Sequence, residues 1–230
     1  MNRLNNRLER PDLMAKQIVK LYNQATDREK AEGATWYTEA HNICNQIAHK
    51  FNCPITKVAG VVAALSPATN WQQNIADAHN LVLAWHHLID PDEVTVTTYG
   101  PNKRKAIHIL NLKSSNQDDI ARILLHNSKV NKTTCFYWNI LKPGSDKHVT
   151  VDRHAIRIAL GSSEADNVCI TEKRYRTIAE SYHIAANKLH LGAIDLQAIV
   201  WVAFRRISHL SVSSMENEIF NSIVDQIKNK

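Results

Sequence analysis

One carboxylate and one amine of this chain are spaced so that they could act on the same substrate. The carboxylate is Asp152, which stands between the apolar, strand-like run Val149–Val151 and a helical pattern that continues through Arg157. The amine is Lys132, twenty positions earlier. Such a pair suits the excision of a base from DNA, because the carboxylate stabilises a positively charged sugar while the amine, or a water molecule, attacks the anomeric carbon.

The chain between these two residues is long enough to return to its starting point. If Lys132 opens a helix to about Leu141, the rise of ~1.5 Å per residue carries the chain roughly 15 Å away. The connector of residues 142–150 extends by up to ~3.3 Å per residue, which is enough to come back. The spacing therefore allows the amine and the carboxylate to face one cleft.

Each of the two residues also has a structural interpretation. Asp152 is a good helix N-cap, and this role is compatible with catalysis because the helix start keeps the carboxylate ionised. Lys132 faces the unfavourable end of its helix dipole, and that field, burial and the neighbouring Lys129 would lower the pKa of the amine. The alternative for Lys132 is a contact with a DNA phosphate.

The residues around the pair resemble a known family. Val130–Tyr137 followed by Val151–His154 is similar to the catalytic core of the endonuclease III-like helix-hairpin-helix (HhH-GPD) DNA glycosylase superfamily. Val61–Asn70 resembles its buried helix and the loop that fills the hole left by a flipped base, and Gly100–Ala106 resembles its glycine-and-lysine helix start. The resemblance covers about residues 55–160, with a weaker echo at Leu196–Trp201.

The resemblance implies roles for further residues. Catalysis would fall to Lys132 and Asp152. Contacts to DNA are expected from Lys103, Arg104, Lys105, Ser128, Lys129, Asn131, Thr133, Arg153 and Arg157. The wedge that replaces the flipped base, and the pocket that receives it, would draw on Asn70, Trp71, Gln72, Tyr137, Trp138, His154, Gln197 and Trp201.

Several of these roles have structural alternatives. The basic cluster from Lys103 to Lys105 is equally explained as plain surface charge, although a phosphate would relieve its conflict with the helix dipole. Trp71 is as well explained as a core residue. His154 is either a site residue of unassigned role or a structural histidine.

The chain also departs from the family. The hairpin turn of the family usually carries glycines that let backbone amides approach a phosphate, whereas Ser128 and Val130 stand at the matching positions. The family's iron–sulfur cluster needs four cysteines at a characteristic spacing, which Cys44, Cys53, Cys135 and Cys169 lack. We therefore expect no cofactor and a divergent branch, similar to phage or phage-defence glycosylases.

The composition is that of a soluble globular protein with an anionic partner. Of 230 residues, 44% are hydrophobic and 22% charged, which excludes a disordered chain. The net charge of +6 favours a polyanionic partner but does not name it, and the resemblance implies double-stranded DNA. The start of the chain lacks the apolar region of a signal peptide, and the longest apolar run, Val58–Leu65, is too short to span a bilayer.

These features predict a cytoplasmic monomer without a membrane partner, associated with the nucleoid if bacterial or placed in the host cytoplasm if viral. In that compartment the four cysteines are expected to be reduced thiols. A zinc site at Cys44, His49 and Cys53 is disfavoured because the spacing matches no common site. No metal is therefore expected.

Helical periodicity runs through nearly the whole chain. The pattern predicts helices over about 11–25, 35–50, 56–65, 75–89, 116–125, 132–141, 171–189, 196–207 and 213–227, and the resemblance implies a further helix that starts near Gly100. Thr56 is the predicted N-cap of the apolar third helix, whose small residues permit close helix contact. Residues 94–97 and 148–151 are the only strand-like runs, and they make no sheet.

These patterns predict an all-α fold of two helical lobes with DNA across the cleft. Residues 30–142 would form a central lobe containing the hairpin, and residues 1–29 and 143–230 a second lobe built from both chain ends. The predicted function is a DNA glycosylase that flips and excises a damaged or modified base, for which a bulky modified pyrimidine is the natural target by analogy. AP-lyase activity would follow if Lys132 forms a Schiff base.

Two other functions remain open. One is a non-catalytic protein on the same scaffold that senses lesions or bends DNA, against which the presence of both Lys132 and Asp152 argues. The other is an RNA-binding protein that uses the same basic helices, although no RNA-binding module is recognisable.

Overall fold

The computed structural model describes residues 6–161, 163–208 and 214–228, and this part of the chain is all-α, as the sequence predicts. Over these residues there is no strand, and the extended runs 94–97 and 148–151 pair with nothing as strands. Short 3-10 turns occupy Pro91–Glu93 and Ser163–Asn167. The helices are α1 Pro11–Tyr22, α2 Asp27–Lys50, α3 Ile55–Leu65, α4 Trp71–His86, α5 Gly100–Asn111, α6 Gln117–Leu125, α7 Lys132–Leu141, α8 Arg153–Leu160, α9 Glu172–Leu189, α10 Ala193–Ile207 and α11 Ser214–Lys228.

The chain divides into two compact units whose boundaries differ from the predicted lobes. Unit 1 comprises Met1–Glu39 and Ser128–Ser211, and unit 2 comprises Ala40–Asn127 and Val212–Lys230. The boundaries fall inside α2 and in the hairpin turn before Lys132, not at residues 29 and 142. The reason lies in α7, since its Cys135 belongs to the same apolar core as α1, α8 and α9. Lys132 and Asp152 consequently share unit 1.

Unit 1 is organised around α1. This helix packs against α8, α9 and α10, and α8 packs against α9 and α10 in turn. The fully buried side chains at this meeting point include Met14, Ile18, Ala159, Ile178 and Tyr182. The resulting core supports α8, the helix that follows Asp152.

The backbones of α2 and α10 lie unusually close to each other within unit 1. A Cβ atom added at Gly33 would lie 2.3 Å from Cα and 2.6 Å from N of Ile199. No side chain other than glycine fits there, because the obstructing atoms are backbone. Tyr37 stands one turn after Gly33, and Gln197 stands two residues before Ile199.

The start of α2 explains why this helix begins earlier than predicted. The side chain of Glu29 accepts the N–H of Thr26 at 2.8 Å, and the hydroxyl of Thr26 accepts the N–H of Glu29 at 3.2 Å, which forms a capping box. Arg206 donates to Glu29 through Nε at 2.7 Å. This local pattern starts α2 at Asp27, whereas the apolar periodicity indicated a start near Thr35.

Unit 2 is built around α3, which the sequence predicts as its central helix. Every residue from Lys57 to Leu65 is buried, and α3 packs against α4, α5 and α6. A Cβ atom at Gly60 would lie 2.7 Å from the Ile120 side chain, so the small residues permit close helix contact. None of the described helices combines the length and the apolar character that crossing a bilayer requires.

The predicted cap of α3 is wrong. The N-cap position belongs to Pro54, whose carbonyl accepts the N–H of Lys57 at 2.9 Å, and Thr56 lies within the helix. The Thr56 hydroxyl instead donates to the carbonyl of Ser115 at 2.9 Å. The buried amine of Lys57 donates to the carbonyls of Leu110 and Leu112 at 2.8 and 2.5 Å. These bonds satisfy carbonyl groups at the C-terminus of α5.

Candidate active site

Asp152 is the N-cap of α8, as predicted. Its carboxylate accepts the N–H of Ala155 at 2.7 Å. The extended residues before it are fixed by Tyr175, whose hydroxyl accepts the N–H of Val151 and donates to the carbonyl of Val149, both at 3.0 Å. Asp152 is therefore held from both sides while its side chain stays only partly buried.

Lys132 is the first residue of α7, also as predicted. The preceding Asn131 is the N-cap, and its side-chain oxygen accepts the N–H of Thr134 and the hydroxyl of Thr133, each at 2.9 Å. Burial lowers the pKa of Lys132, and the negative charge of Asp152 partly opposes this shift. The amine thus loses its proton more readily than that of an ordinary lysine. Asp152 is near enough for its charge to act on this amine.

His154 lies close to the same pair. Burial lowers its pKa, while the charge of Asp152 raises it and the charges of Arg157 and Lys132 lower it further. Its Nδ1 is buried and makes no hydrogen bond with the described part of the chain, and its ring lies 5.8 Å from the ring of Phe204. The net shift of the pKa favours the neutral imidazole, and one of its nitrogens is unsatisfied.

A buried tyrosine that the sequence did not mark belongs to this neighbourhood. The Tyr37 hydroxyl donates to Oε1 of Gln197 at 2.9 Å. Burial raises the pKa of Tyr37 to about 12, hydrogen bonds with Thr150 and Asn139 act in the opposite direction, and the charge of Asp152 raises it further. Tyr37 and Gln197 are 160 positions apart, so no local sequence pattern signals their pairing.

Trp36, which precedes Tyr37 in the chain, packs against two further aromatic rings. The Trp36 ring lies 5.8 Å from that of Trp201 at an angle of 67°, and 6.0 Å from that of Phe136. The guanidinium of Arg205 lies over the Trp201 ring at 4.9 Å. Both tryptophans are partly buried, which leaves part of each ring accessible. Trp201 was predicted here, whereas Trp36 and Phe136 were not.

The other predicted pocket residues of unit 1 have different surroundings. Tyr137 is fully buried, and its ring lies 5.3 Å from that of Trp138. Trp138 stacks on His148 at 5.9 Å and carries the amine of Lys142 over its ring at 5.2 Å. Tyr137 thus lies in the core of unit 1, and Trp138 lies in a partly exposed stack.

The predicted DNA contacts of unit 1 divide by their exposure. Ser128, Lys129 and Arg153 are exposed. The guanidinium of Arg157 instead forms a two-point ion pair with Asp166, in which Nε donates at 2.8 Å. Arg157 could therefore bind a phosphate only by sharing or losing this partner.

The remaining predicted residues lie in unit 2. Asn70 is the N-cap of α4 and accepts the N–H of Gln73 at 2.9 Å, while Trp71 and Gln72 form the partly buried start of that helix. The preceding Ala68 has φ of +60°, a left-handed conformation that costs energy in a residue with a Cβ atom. The predicted wedge is thus a strained turn that leads into a capped helix.

The basic cluster at the start of α5 is also in unit 2. The Lys103 amine donates to the carbonyl of Asp92 at 2.8 Å, and its side chain is only 16% exposed. Arg104 is exposed and Lys105 is partly buried. Lys103 therefore holds the 3-10 turn Pro91–Glu93 against the start of α5.

In the described ranges, histidine, cysteine and acidic residues form no group of three or more that could hold a metal ion. All four cysteines are free thiols, of which Cys44, Cys53 and Cys135 are buried. Burial raises the pKa of each of these three. None of them is activated as a thiolate at neutral pH.

Comparison with known proteins places the chain in one family. Residues 2–208 match the model of DUF7178, a family of unknown function, so the chain belongs to that family. Searches of curated proteins and of solved structures returned no match.

Proposed function

We propose that this protein is a DNA glycosylase that extrudes one damaged or modified base and cleaves its N-glycosidic bond. The observation that carries the proposal is the pairing in unit 1 of Lys132, an amine whose pKa burial lowers, with the carboxylate of Asp152, whose charge acts on that amine. Sites that do acid, base or nucleophilic chemistry typically contain titratable groups whose surroundings shift their pKa values away from the ordinary ones.

Asp152 would stabilise the sugar in the transition state. As the bond to the base breaks, its electron pair leaves with the base and positive charge develops on the sugar ring. The carboxylate accepts the N–H of Ala155, and the Tyr175 hydroxyl fixes the backbone that precedes it at Val151, so the carboxylate needs little reorganisation to meet that charge.

Lys132 would provide the nucleophile or position it. In the hydrolytic course, water adds its oxygen to the anomeric carbon and its proton reaches the departing base. In the lyase course, the neutral amine attacks the same carbon, the base leaves, and an imine between Lys132 and the opened sugar forms. The lowered pKa of Lys132 supports the second course, because it increases the fraction of neutral amine near pH 7.

The extruded base would be received by Trp201, Trp36 and Gln197, which are adjacent in unit 1. Base extrusion is supported by pockets that combine stacking with hydrogen bonds to the base edge. The exposed Lys129 and Arg153, with Arg104 in unit 2, are the groups that we propose for the phosphates. The net charge of +6 supports a DNA partner and steers association with it.

We propose a bulky modified pyrimidine as the target and a role in phage or in defence against phage, by analogy with the divergent glycosylases that the sequence resembles. The protein would act as a monomer in the cytoplasm, at the nucleoid or in an infected host. The alternative of a protein that binds lesions without cutting predicts the same DNA affinity and no base release.

The test uses purified full-length protein and short duplexes that each carry one modified base, among them uracil, 5-hydroxymethyluracil, 5-hydroxymethylcytosine and a bulky derivative of each. Base release is measured by mass spectrometry and by cleavage of abasic sites in alkali. We expect release from at least one duplex by the natural protein and none by Asp152→Asn. Binding without release from every duplex would favour the non-catalytic alternative.

A further inference from the structure

Arg157, on the helix that follows Asp152, already holds an oxyanion supplied by the protein itself. Its Nε donates to one carboxylate oxygen of Asp166 at 2.8 Å, and its Nη2 donates to the other. Two parallel N–H bonds of this kind are the geometry in which a guanidinium binds a carboxylate or a phosphate. A carboxylate and a phosphodiester each carry one negative charge and present two oxygens. The Asp166 side chain therefore marks a place where Arg157 can bind a phosphodiester.

The turn that supplies Asp166 is held in place independently of this ion pair. The 3-10 turn Ser163–Asn167 packs against α8. Its Ala165 is buried in the apolar core of unit 1, and the carbonyl of Ala165 accepts the N–H of Val168 at 3.1 Å. The Asp166 carboxylate can therefore leave Arg157 by rotation of its own side chain, while the turn stays where it is.

A second arginine stands beside Arg157 without a partner of its own. Arg153 lies one helical turn earlier on α8, which places the two Cβ atoms about 5 to 6 Å apart. Arg153 is exposed, and within the described part of the chain it forms no side-chain hydrogen bond or ion pair. The hydrogen bond from Arg157 lowers the pKa of Asp166, and the charge of Arg153 lowers it further. A phosphate in the place of the Asp166 carboxylate would consequently interact with both arginines.

Replacement of Asp166 by another anion costs little. The side chains of Arg157 and Asp166 are 26% and 33% exposed, and ion pairs at such positions contribute little to stability because solvent and salt screen them. A DNA phosphate would restore both hydrogen bonds of Arg157 and release a counterion from the DNA. The charge of Asp152 acts on Arg157, so a phosphate bound there lies beside the candidate active site.

We propose that Arg153 and Arg157 form a binding site for one phosphodiester of the DNA backbone, and that the carboxylate of Asp166 occupies this site until DNA displaces it. Asp166 thus acts as an internal competitor that weakens DNA binding. The choice of DNA as the ligand rests on the proposed function. The occupation of Arg157 by an oxyanion does not.

The experiment measures the affinity of the full-length protein for an unmodified duplex by fluorescence anisotropy. Asp166→Asn keeps the size of the side chain and removes its charge, and we expect it to bind about fivefold more tightly than the natural protein. Glu172→Gln is the matched control, because it also removes one negative charge and also frees an arginine of unit 1, Arg176, from a surface ion pair. The affinity of this control should stay within about twofold of that of the natural protein.

Two further measurements assign the gain in affinity to Arg157. In a protein that carries Arg157→Gln, the additional change Asp166→Asn should alter the affinity no more than Glu172→Gln does, because the site for the phosphate is lost. The Nε–H resonance of Arg157 in the nuclear magnetic resonance spectrum, identified by its loss in Arg157→Gln, reports the partner of the guanidinium directly. Without DNA this resonance should differ between the natural protein and Asp166→Asn, and at saturating DNA the two should become similar.

None of these measurements requires base release, so the results separate this inference from the proposed function. If Asp166→Asn tightens DNA binding and no duplex loses a base, the inference holds and the glycosylase proposal fails. If base is released but Asp166→Asn binds DNA no more tightly than Glu172→Gln does, the inference is overturned and the glycosylase proposal stands. Absence of DNA binding by both the natural protein and Asp166→Asn overturns both. Circular dichroism shows that each variant is folded, and Asp166→Ala, with the same expected gain, replaces an Asp166→Asn protein that does not fold.

Discussion

Asp152 and Lys132 stand at the N-termini of two helices of the same unit, and the negative charge of Asp152 raises the pKa of Lys132 that burial lowers. Each helix start is closed by a side chain, Asp152 itself for α8 and Asn131 for α7. Local helix chemistry thus fixes the backbone positions of both groups.

The lowered pKa of Lys132 predicts the pH dependence of lyase chemistry. Reduction with cyanoborohydride converts an imine between Lys132 and the sugar into a permanent protein–DNA bond. The rate of trapping should rise with pH as the amine is deprotonated and level off below pH 10.5, the value for an ordinary lysine. Gel electrophoresis of the trapped complex measures this rate.

The controls for trapping are Lys132→Ala, which should form no complex, and Lys147→Ala, an exposed lysine of the same unit, which should trap like the natural protein. Base release without any trapped complex would show that water is the nucleophile. In that case Lys132 acts as a phosphate or substrate contact.

The contacts of Lys103 change what is expected of the basic cluster on α5. Arg104→Ala with Lys105→Ala should reduce the slope of log affinity against log salt by about 2, because about 0.9 of a counterion is released per phosphate contact. Lys103→Ala should leave the slope unchanged and lower the melting temperature, since its amine holds the carbonyl of Asp92. Equal slopes for the double variant and the natural protein would remove α5 from the DNA-binding surface.

Gly33 is predicted to be irreplaceable because of its contact with α10. Alanine is the better helix former, so Gly33→Ala would stabilise an isolated helix by about 1 kcal/mol. In this fold its Cβ would meet the backbone of Ile199 at 2.3 Å, and we expect a net loss of about 1 to 3 kcal/mol in the free energy of unfolding.

Urea denaturation measures the effect of Gly33→Ala. Gly100→Ala is the control, because a Cβ there meets only the end of the Arg104 side chain at 3.4 Å, and its stability should match the natural protein or exceed it. A stabilising Gly33→Ala would contradict the helix contact that brings Tyr37 to Gln197.

The ion pair of Glu29 and Arg206 predicts a stability difference that depends on pH. The hydrogen bond from Arg206 lowers the pKa of Glu29 to about 2, from an ordinary value of 4.5. Since the folded pKa is depressed, the stabilisation is fully present above pH 4.5 and is lost as the pH falls toward 2. Glu29→Gln, which keeps the capping shape, should cost about 1 kcal/mol at pH 7, because solvent screens the half-exposed Arg206.

Thermal unfolding of both proteins between pH 7 and pH 2.5 measures this difference, which should shrink steadily over that range. A difference that stays constant with pH would assign the effect to packing and not to charge.

Local chemistry could be predicted from the sequence, and long-range contacts could not. Lys132 and Asp152 were correctly placed at helix starts, because caps depend on a few adjacent residues. The pairing of Tyr37 with Gln197 depends on two helices that meet at Gly33 and Ile199, and no local pattern encodes that meeting. Lys103 and Arg157 were expected to be available for DNA, but their charges are engaged by Asp92 and Asp166, which lie in short 3-10 turns that periodicity does not reveal.

The most direct test of the catalytic claim separates the charge of Asp152 from its role as a cap. Asp152→Asn removes the charge but retains the cap, whereas Asp152→Ala removes both. We expect both variants to reduce single-turnover base release by at least about 100-fold, while only Asp152→Ala loses about 1 kcal/mol in the free energy of unfolding. Asp152→Asn that releases the base at nearly the natural rate would contradict the assignment of Asp152 as the catalytic carboxylate.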